Sequence, residues 1–260
     1  MEFEGLVIQV IPQKERDLIA RVLLRQGTLT SFYVYGGMGG GKNSKPRLYE
    51  PGNLVKVHVR ANQSGHTSQD SLKMVNEGSV LWQGKNIRHH PQAFALACLY
   101  LEITLKTALP HHDDDVVGEH QGLFNALSNG LFYLDQAVGE GEWSWTNHFS
   151  LFMGKFLHYL GILPDENECV FCGSELEAEN FIPLIVDQGG YSCQSCYQQS
   201  GIQVKMTPVR QNLTQSVRTR FQDWRAIQGV SRETCQQMIE FWGYHYQVKL
   251  PDLTSYRLLG

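Results

Sequence analysis

Four cysteines in two close pairs are the residues of this 260-residue chain best suited to chemistry. Cys169 and Cys172 form the first Cys-x2-Cys pair, and Cys193 and Cys196 form the second. Each pair can form a tight turn that directs two thiolates at one tetrahedral ion, and nearby glycines permit such turns. The spacing predicts one structural zinc ion per chain; an empty site, or redox chemistry at the pairs, is the alternative. Four sulfur ligands leave no position for water, so this zinc would stabilise the fold and not catalyse.

A glycine-rich segment resembles the phosphate-binding loop of nucleotide hydrolases. Gly36–Lys42 has the spacing, but Asn43 stands where a Ser or Thr would hold magnesium, and Pro46 opposes the helix that would bind the phosphates. The histidines and aspartates at 111–115 are interpreted as a solvated helix start and not as a nuclease metal site, because no second ligand cluster is evident. With no convergent nucleophile, base and oxyanion donor, we expect no enzyme.

Charge is strongly partitioned along the chain, although its net value is only −4. Residues 1–88 carry twelve Lys or Arg against seven Asp or Glu, residues 89–200 two against fifteen, and residues 201–260 eight against four. The ends of the chain would therefore meet a polyanion, and its middle would repel one. The candidate contacts with a nucleic acid are the loop cations and the preceding strand aromatics: Lys42, Lys45, Arg47, Phe32 and Tyr33. The next candidate is a basic and aromatic face on the helix from Thr207, although most such faces are merely solvated. Its residues are Arg210, Arg218, Arg220, Arg225, Phe221 and Trp224.

The secondary structure that must position these residues is predicted to change from strands to helices near residue 84, because the spacing of apolar residues changes there. Short strands with apolar alternation are predicted at Phe3–Val10, Leu18–Leu24, Thr28–Tyr35, Leu54–Val59 and Ser79–Trp82, which indicates a small barrel or sandwich. Helices are predicted at 93–109, 116–138, 149–160, 207–227 and 231–250, with Thr207 and Ser231 as caps. The prediction is an α+β chain with a barrel domain at 1–84 and a helical domain at 85–260, which carries the zinc module at 166–200.

Composition and the start of the chain set the expected location. Apolar residues make up 42% of the chain, enough for packed cores, and no apolar run approaches the roughly 20 residues that span a bilayer. The start Met1–Glu4 lacks the basic segment of a signal peptide, so the expected location is the cytoplasm. Cys98 and Cys235 lie in helical surroundings and are interpreted as ordinary buried or half-buried residues.

The order of these parts resembles the bacterial recombination mediator family RecO, and the resemblance covers nearly the whole chain. It rests on the following motifs: the Ile8-to-Gly27 strand pair; Tyr35-Gly36 followed by Lys42-x-Ser44; Tyr159-Leu160-Gly161 with Pro164; Cys169-x2-Cys172-Gly173; Gly189-Gly190 before Cys193-x2-Cys196; and Tyr246-x8-Ser255.

Membership of that family would have consequences for both fold and function. It implies an OB-fold barrel followed by a helical domain bearing the zinc module. It also implies binding of single- and double-stranded DNA, annealing of complementary strands, and help in loading the recombinase onto strands coated by single-strand-binding protein. The implied protein partner is RecR, and the implied location is the bacterial cytoplasm, at the nucleoid when active and not at a membrane. The competing class is a non-enzymatic protein-interaction adaptor with a structural zinc module.

Overall fold

The computed structural model describes residues 1–38, 48–59, 72–108, 121–176 and 182–259. The predicted cations Lys42, Lys45 and Arg47 lie outside the described residues, as does the histidine and aspartate run at 111–115.

A closed barrel of five strands forms the first part of the chain. The strands are β1 (Glu2–Gln13), β2 (Asp17–Leu24), β3 (Leu29–Val34), β4 (Leu54–Val59) and β5 (Lys73–Trp82). Their order around the barrel is β1-β2-β3-β5-β4, and β4 pairs with β1 to close it. Only the short β3–β5 pairing is parallel among these strands. This arrangement confirms the predicted barrel and is OB-like.

The barrel interior is filled by one face of each strand, because successive strand residues point to opposite sides. The interior strand residues are Val7, Leu18, Ala20, Val22, Leu24, Phe32, Val34, Val55, Val57, Val59 and Val75, and Tyr49 from the turn before β4 packs with them. Leu6, Ile8 and Leu23 are also buried, although they are not part of this interior cluster. Helix α1 (Pro91–Thr107) packs against β1, so part of the outer barrel surface is covered as well.

The connection from the barrel to the helices is fixed by an aspartate on α2 (Gln121–Glu140). Asp135 Oδ1 accepts hydrogen bonds from the N–H groups of Asn86 (2.8 Å) and Ile87 (2.9 Å). In addition, the side-chain amide of Asn86 donates a hydrogen bond to the backbone carbonyl oxygen of Asp135 (3.1 Å). This clasp satisfies N–H groups at the start of the 3₁₀ helix Ile87–His89, which would otherwise have no intrahelical acceptor.

Contacts divide the chain into two compact units, Met1–Asp135 and Gln136–Gly260. The first unit therefore contains α1 and most of α2 together with the barrel. The predicted division lay at residue 84, where the strands end. Compactness does not measure independent folding, so the division at 84 stays a prediction.

The second unit contains α3 (Trp145–Tyr159), the two-stranded sheet of β6 (Leu184–Ile185) and β7 (Gly190–Tyr191), α4 (Gln194–Ser200), α5 (Val209–Arg218) and α6 (Arg232–Tyr246). Helices α3 and α5 approach closely at small residues. The hydroxyls of Ser150 and Ser216 hydrogen-bond at 2.9 Å. A Cβ atom added at Gly154 would lie 2.5 Å from Cβ of Ser216, so this contact requires a glycine.

The structure corrects the helix predicted at 207–227. Helix α5 ends at Arg218, Thr219 is extended, and a separate 3₁₀ helix follows at Phe221–Ala226. The break directs the Trp224 side chain inward, where it packs in a small apolar cluster with Ala137, Leu151 and Ile227. Burial of that large ring accounts for the break, since tertiary packing readily overrides local helix propensity.

The predicted helix caps have different outcomes. The hydroxyl of Ser231 accepts from the N–H of Thr234 (3.1 Å), which confirms the predicted cap of α6. Thr207 was wrong as a cap, because its hydroxyl donates to the side chain of Gln237 instead. Helix α6 also ends earlier than predicted, at Tyr246, where Gln247 is left-handed with φ 56°. Among the described helices, none is long and apolar enough to cross a membrane.

Candidate metal centre and nucleic-acid face

The four predicted ligands come together in the second unit. The sulfur atoms of Cys169, Cys172, Cys193 and Cys196 all lie within 4.8 Å of one another. The first pair lies in the turns after α3, Cys193 precedes α4, and Cys196 lies in its first turn. Cys169 is buried, Cys172 is exposed, and the second pair is intermediate, so the cluster sits at the surface of the unit.

Backbone hydrogen bonds hold the first pair in a tight turn. The N–H of Cys169 donates to the carbonyl of Ser174 (2.9 Å), and the N–H of Gly173 donates back to the carbonyl of Cys169 (2.8 Å). Gly173 has φ +70°, a conformation that favours glycine. The N–H of Val170 donates to the carbonyl of Tyr191 (2.8 Å) and so joins this turn to the strand before the second pair. The sulfurs are therefore positioned by backbone contacts from both segments.

The size and chemistry of the cluster fit a tetrahedral zinc ion. Four Zn–S bonds of about 2.3 Å place the sulfurs roughly 3.8 Å apart. The sulfurs of Cys172 and Cys193 are 3.9 Å apart, and the full set needs only a small contraction. These cysteines could hold a metal ion.

Electrostatics within the cluster also favours a cation. Burial acts to raise the pKa of Cys169, but N–H groups from Cys193 and from its own turn outweigh burial and lower that pKa to about 6. The hydroxyl and N–H of Ser174 lower the pKa of Cys172. Hydrogen bonding with the sulfurs of Cys193 and Cys172 raises the pKa of Cys196 to about 12. A divalent cation would offset this crowding of negative sulfurs and allow all four ligands to ionise.

The second candidate site lies where β2 and β3 meet on the outside of the barrel. Tyr33 pairs with Ile19 across the two strands and points outward, because Phe32 and Val34 point inward. The Tyr33 hydroxyl donates to Oδ2 of Asp17 (2.6 Å). Its ring lies 4.8 Å from the ring of Tyr35 in an edge-on arrangement. An ordered pair of outward-facing aromatic rings therefore stands at the end of β3.

Phe32 must be removed from the candidate nucleic-acid contacts. Its side chain is 0% exposed and packs in the barrel interior, with its ring centroid 5.6 Å from that of Phe3. A ring without solvent exposure cannot stack on a base. Tyr35, which sequence reasoning did not select, is 60% exposed.

Three further cations near this face were also missed. Lys14 and Arg16 lie in the exposed turn between β1 and β2, and the carbonyl of Arg16 accepts from the N–H of Met38 (2.8 Å) just beyond β3. Arg21 lies on the same outer face as Tyr33 and donates to the side chain of Gln9 (3.2 Å). The strand register brings these residues together, and it could have been obtained only by aligning the alternating runs of β1, β2 and β3.

Two arginines of the alternative basic face on the second unit are paired with glutamates. Arg218 pairs with Glu166 (2.6 Å), and Arg225 pairs with Glu140 (3.2 Å) and Glu142 (3.0 Å). Trp224 is only 8% exposed. Arg218 and Arg225 thus contact glutamates of the same unit, whereas Arg220 of the predicted face is exposed and has no ion pair among the described residues.

An apolar cavity of about 300 Å³ is present in the first unit. It is lined by Glu50, Pro51, Gly52, Trp82, Gly84, Ile87, Arg88, Phe94, Ala97, Cys98, Leu101 and Leu131. Phe94 is 48% exposed, so the cavity opens beside an exposed aromatic ring. Arg88, its one lining cation, is bound by the carboxylate of Glu50 and by Asn53 (2.9 Å).

Comparison with known proteins identifies the family. Residues 95–256 match the family model described as Recombination protein O C terminal. The protein named DNA repair protein RecO from Thermodesulfovibrio yellowstonii is 23% identical over 193 residues, which cover 74% of this chain and 68% of that protein. The protein of the same name from Koribacter versatilis is 25% identical over 187 residues, which cover 71% of this chain and 68% of that protein. Because the family model matches more than half of the chain, from within α1 to beyond α6, this chain belongs to the Recombination protein O family.

Proposed function

We propose that this chain is a DNA-binding recombination mediator that acts in recombinational DNA repair. In this role it binds single- and double-stranded DNA, anneals complementary strands, and helps to load the recombinase onto strands coated by single-strand-binding protein. RecR is its proposed partner, and the bacterial cytoplasm, at the nucleoid when active, is its proposed location. Family membership and the names of the two similar proteins support the repair role.

The single observation that carries the DNA-binding part of the proposal is the distribution of net positive charge. Described residues within 1–88 include eight Lys or Arg against six Asp or Glu, and Lys42, Lys45 and Arg47 add three more cations. Arg25, Lys56 and Arg88 pair with glutamates, as Arg218 and Arg225 do in the second unit. The two regions differ in net charge, because residues 136–260 carry nine Lys or Arg against thirteen Asp or Glu. A cationic OB-like barrel with outward aromatic rings is a typical single-strand binder.

We further propose that the four cysteines bind one zinc ion with a structural role. The support is the tetrahedral fit of their sulfurs and the short elements around them, since β6 and β7 have two residues each and α4 has seven. Elements of this length bury too little apolar surface to be stable alone. The proposed mediator catalyses no covalent reaction, and its action consists of binding and positioning strands.

The deciding experiment is annealing of complementary oligonucleotides, with binding measured by fluorescence anisotropy across a salt series. The test protein carries Lys42→Ala, Lys45→Ala and Arg47→Ala. The matched control loses three exposed lysines elsewhere: Lys106→Ala, Lys205→Ala and Lys249→Ala. The test variant should bind all sequences more weakly, with the slope of log affinity against log salt reduced by roughly two to three units. Equal curves for the test variant and the wild type would contradict this location, and absent binding at low salt would contradict the function.

One observation favours the adaptor as a second candidate function. The apolar cavity beside Phe94 and Trp82 has the character of a site for an apolar side chain of a partner protein. An adaptor would bind a protein with little dependence on salt and would leave annealing at the uncatalysed rate. The same salt series therefore separates the two candidates.

A further inference from the structure

An aspartate fixes the pair of outward tyrosines at the end of β3. One carboxylate oxygen of Asp17 accepts from the Tyr33 hydroxyl (2.6 Å), and the other accepts from the N–H of Gly36 (2.9 Å). The two bonds bracket Tyr35, since they hold the residues two positions before it and directly after it. The edge of one tyrosine ring meets the other at 4.8 Å, with 64° between their planes. Tyr35 therefore has a supported ring and a fixed backbone, yet remains 60% exposed.

On charge alone, a carboxylate such as that of Asp17 is not expected beside a surface that binds DNA. A free aspartate would repel phosphates, but both oxygens of Asp17 already accept hydrogen bonds. The Tyr33 hydroxyl, the Gly36 N–H and the Lys14 ammonium all lower the pKa of Asp17, so the carboxylate stays ionised and remains an acceptor at neutral pH. The cations around it are Lys14 and Arg16 on the adjacent turn and Arg21 on the same face of β2. The same turn also holds the exposed Glu15, so three cations lie near two carboxylates. Asp17 thus orders the rings within a region whose net charge is still positive.

We propose that Tyr35 stacks on an unpaired nucleobase and that Asp17, acting through Tyr33 and Gly36, is the residue that positions it. This inference rests on the proposed DNA binding and specifies its ligand, a single strand with an accessible base face. In a duplex both faces of each base are covered by neighbouring bases, so the Tyr35 ring cannot reach a base face unless the duplex unstacks. The site therefore selects single strands over duplexes and tolerates any sequence, because every base has a face to stack on.

The test compares affinities of the full chain for three fluorescein-labelled probes: an oligothymidylate strand, an abasic strand of equal length, and a hairpin duplex. Tyr35→Ala should weaken binding of the oligothymidylate roughly 5- to 150-fold and leave the abasic strand and the duplex nearly unchanged. Tyr35→Phe should bind as the wild type does, because stacking needs the ring and not the hydroxyl. Tyr244→Ala is the matched control, since Tyr244 is 53% exposed in the second unit.

Substitution of Asp17 separates positioning from charge. Asp17→Ala should weaken binding of the oligothymidylate although it removes a negative charge, while Asp17→Asn, which keeps an acceptor oxygen, should bind close to the wild type. If the carboxylate only repelled phosphates, both substitutions would strengthen binding, and the proposal would be overturned. Tyr33→Phe provides a second route if Asp17→Ala folds poorly, because it removes the same hydrogen bond and should weaken binding in the same direction.

The outcomes also separate this inference from the function on which it rests. If the wild type binds all three probes and Tyr35→Ala has the same affinity for the oligothymidylate as Tyr244→Ala, the stacking site is overturned and the proposed DNA binding is not. Failure of the wild type to bind any probe at low salt would overturn both.

Discussion

A buried histidine on α3 should make the second unit sensitive to acid. His148 is 3% exposed, and its ring lies 4.6 Å from the ring of Trp224. Its Nδ1 contacts the carbonyl of Ser144 at 2.8 Å, and because a carbonyl only accepts, this nitrogen carries the proton. Nε2 is buried without a hydrogen-bond partner among the described residues. Protonation of Nε2 would therefore place an unpaired positive charge in the core.

The size of the effect follows from the pKa of this side chain. Burial lowers the pKa of His148 from its ordinary value of 6.5 to about 4, and the positive charge of Arg225 acts in the same direction. Between these two values the unfolded chain binds more protons than the folded chain, so stability falls as the pH falls. The expected loss from this one group is about 1.3 kcal/mol at pH 5.5 and about 2.5 kcal/mol at pH 4.5, relative to pH 7.5.

The assay is guanidinium denaturation at pH 7.5, 6.5, 5.5 and 4.5, with unfolding followed by tryptophan fluorescence. His148→Phe replaces the imidazole with an apolar ring and should remove this part of the pH dependence. His158→Gln is the matched control, since His158 is an exposed histidine on the same helix. Subtracting the two series removes other titrations, such as protonation of the cysteine cluster, that are common to both variants. A His148→Phe protein that loses as much stability as the wild type between pH 6.5 and pH 4.5 would refute the reasoning.

Three further predictions concern other parts of the chain. Cys193→Ser should reduce the metal content from one zinc per chain to near zero and lower the melting temperature, whereas Cys98→Ser should retain the metal. Atomic emission measures the metal content and calorimetry the melting temperature. A wild-type protein that melts at the same temperature with and without metal would contradict the site. Lys42→Ala should leave ATP turnover at background, and any turnover that this substitution abolished would restore the phosphate-loop interpretation. Gly154→Ala should destabilise by about 1–3 kcal/mol, because the new methyl group meets Ser216, and a neutral or stabilising result in urea denaturation would show that α3 and α5 can separate at no cost.

The barrel was largely predictable because its strands alternate. The bounds of β2, β3 and β4 all lie within one residue of the predicted bounds. The first half of β5, Lys73–Glu77, was missed because most of its side chains are polar or exposed, and its pairing with β3 and β4 is a long-range contact. The break after α5 was missed for a related reason, since Trp224 finds its partners in distant segments.

The candidate sites differ in how far local spacing defines them. The cysteine cluster could be predicted because two short spacings fix the geometry of each pair. The Asp17 and Tyr35 arrangement could not, because it depends on the register that places Leu18 opposite Val34. The pairing of Arg218 with Glu166 could not be predicted either, since the two residues lie 52 positions apart in the sequence.

The clasp between Asp135 and Asn86 has a consequence for dividing the chain into fragments. A fragment that stops at residue 84 would lose α1 and the clasp, and it would expose apolar side chains on the outside of the barrel that are buried in the intact unit, such as Leu6, Ile8 and Leu23. Exposed apolar patches of this kind promote aggregation. A fragment of residues 1–135 keeps these contacts and is the better form in which to study the barrel apart from the second unit.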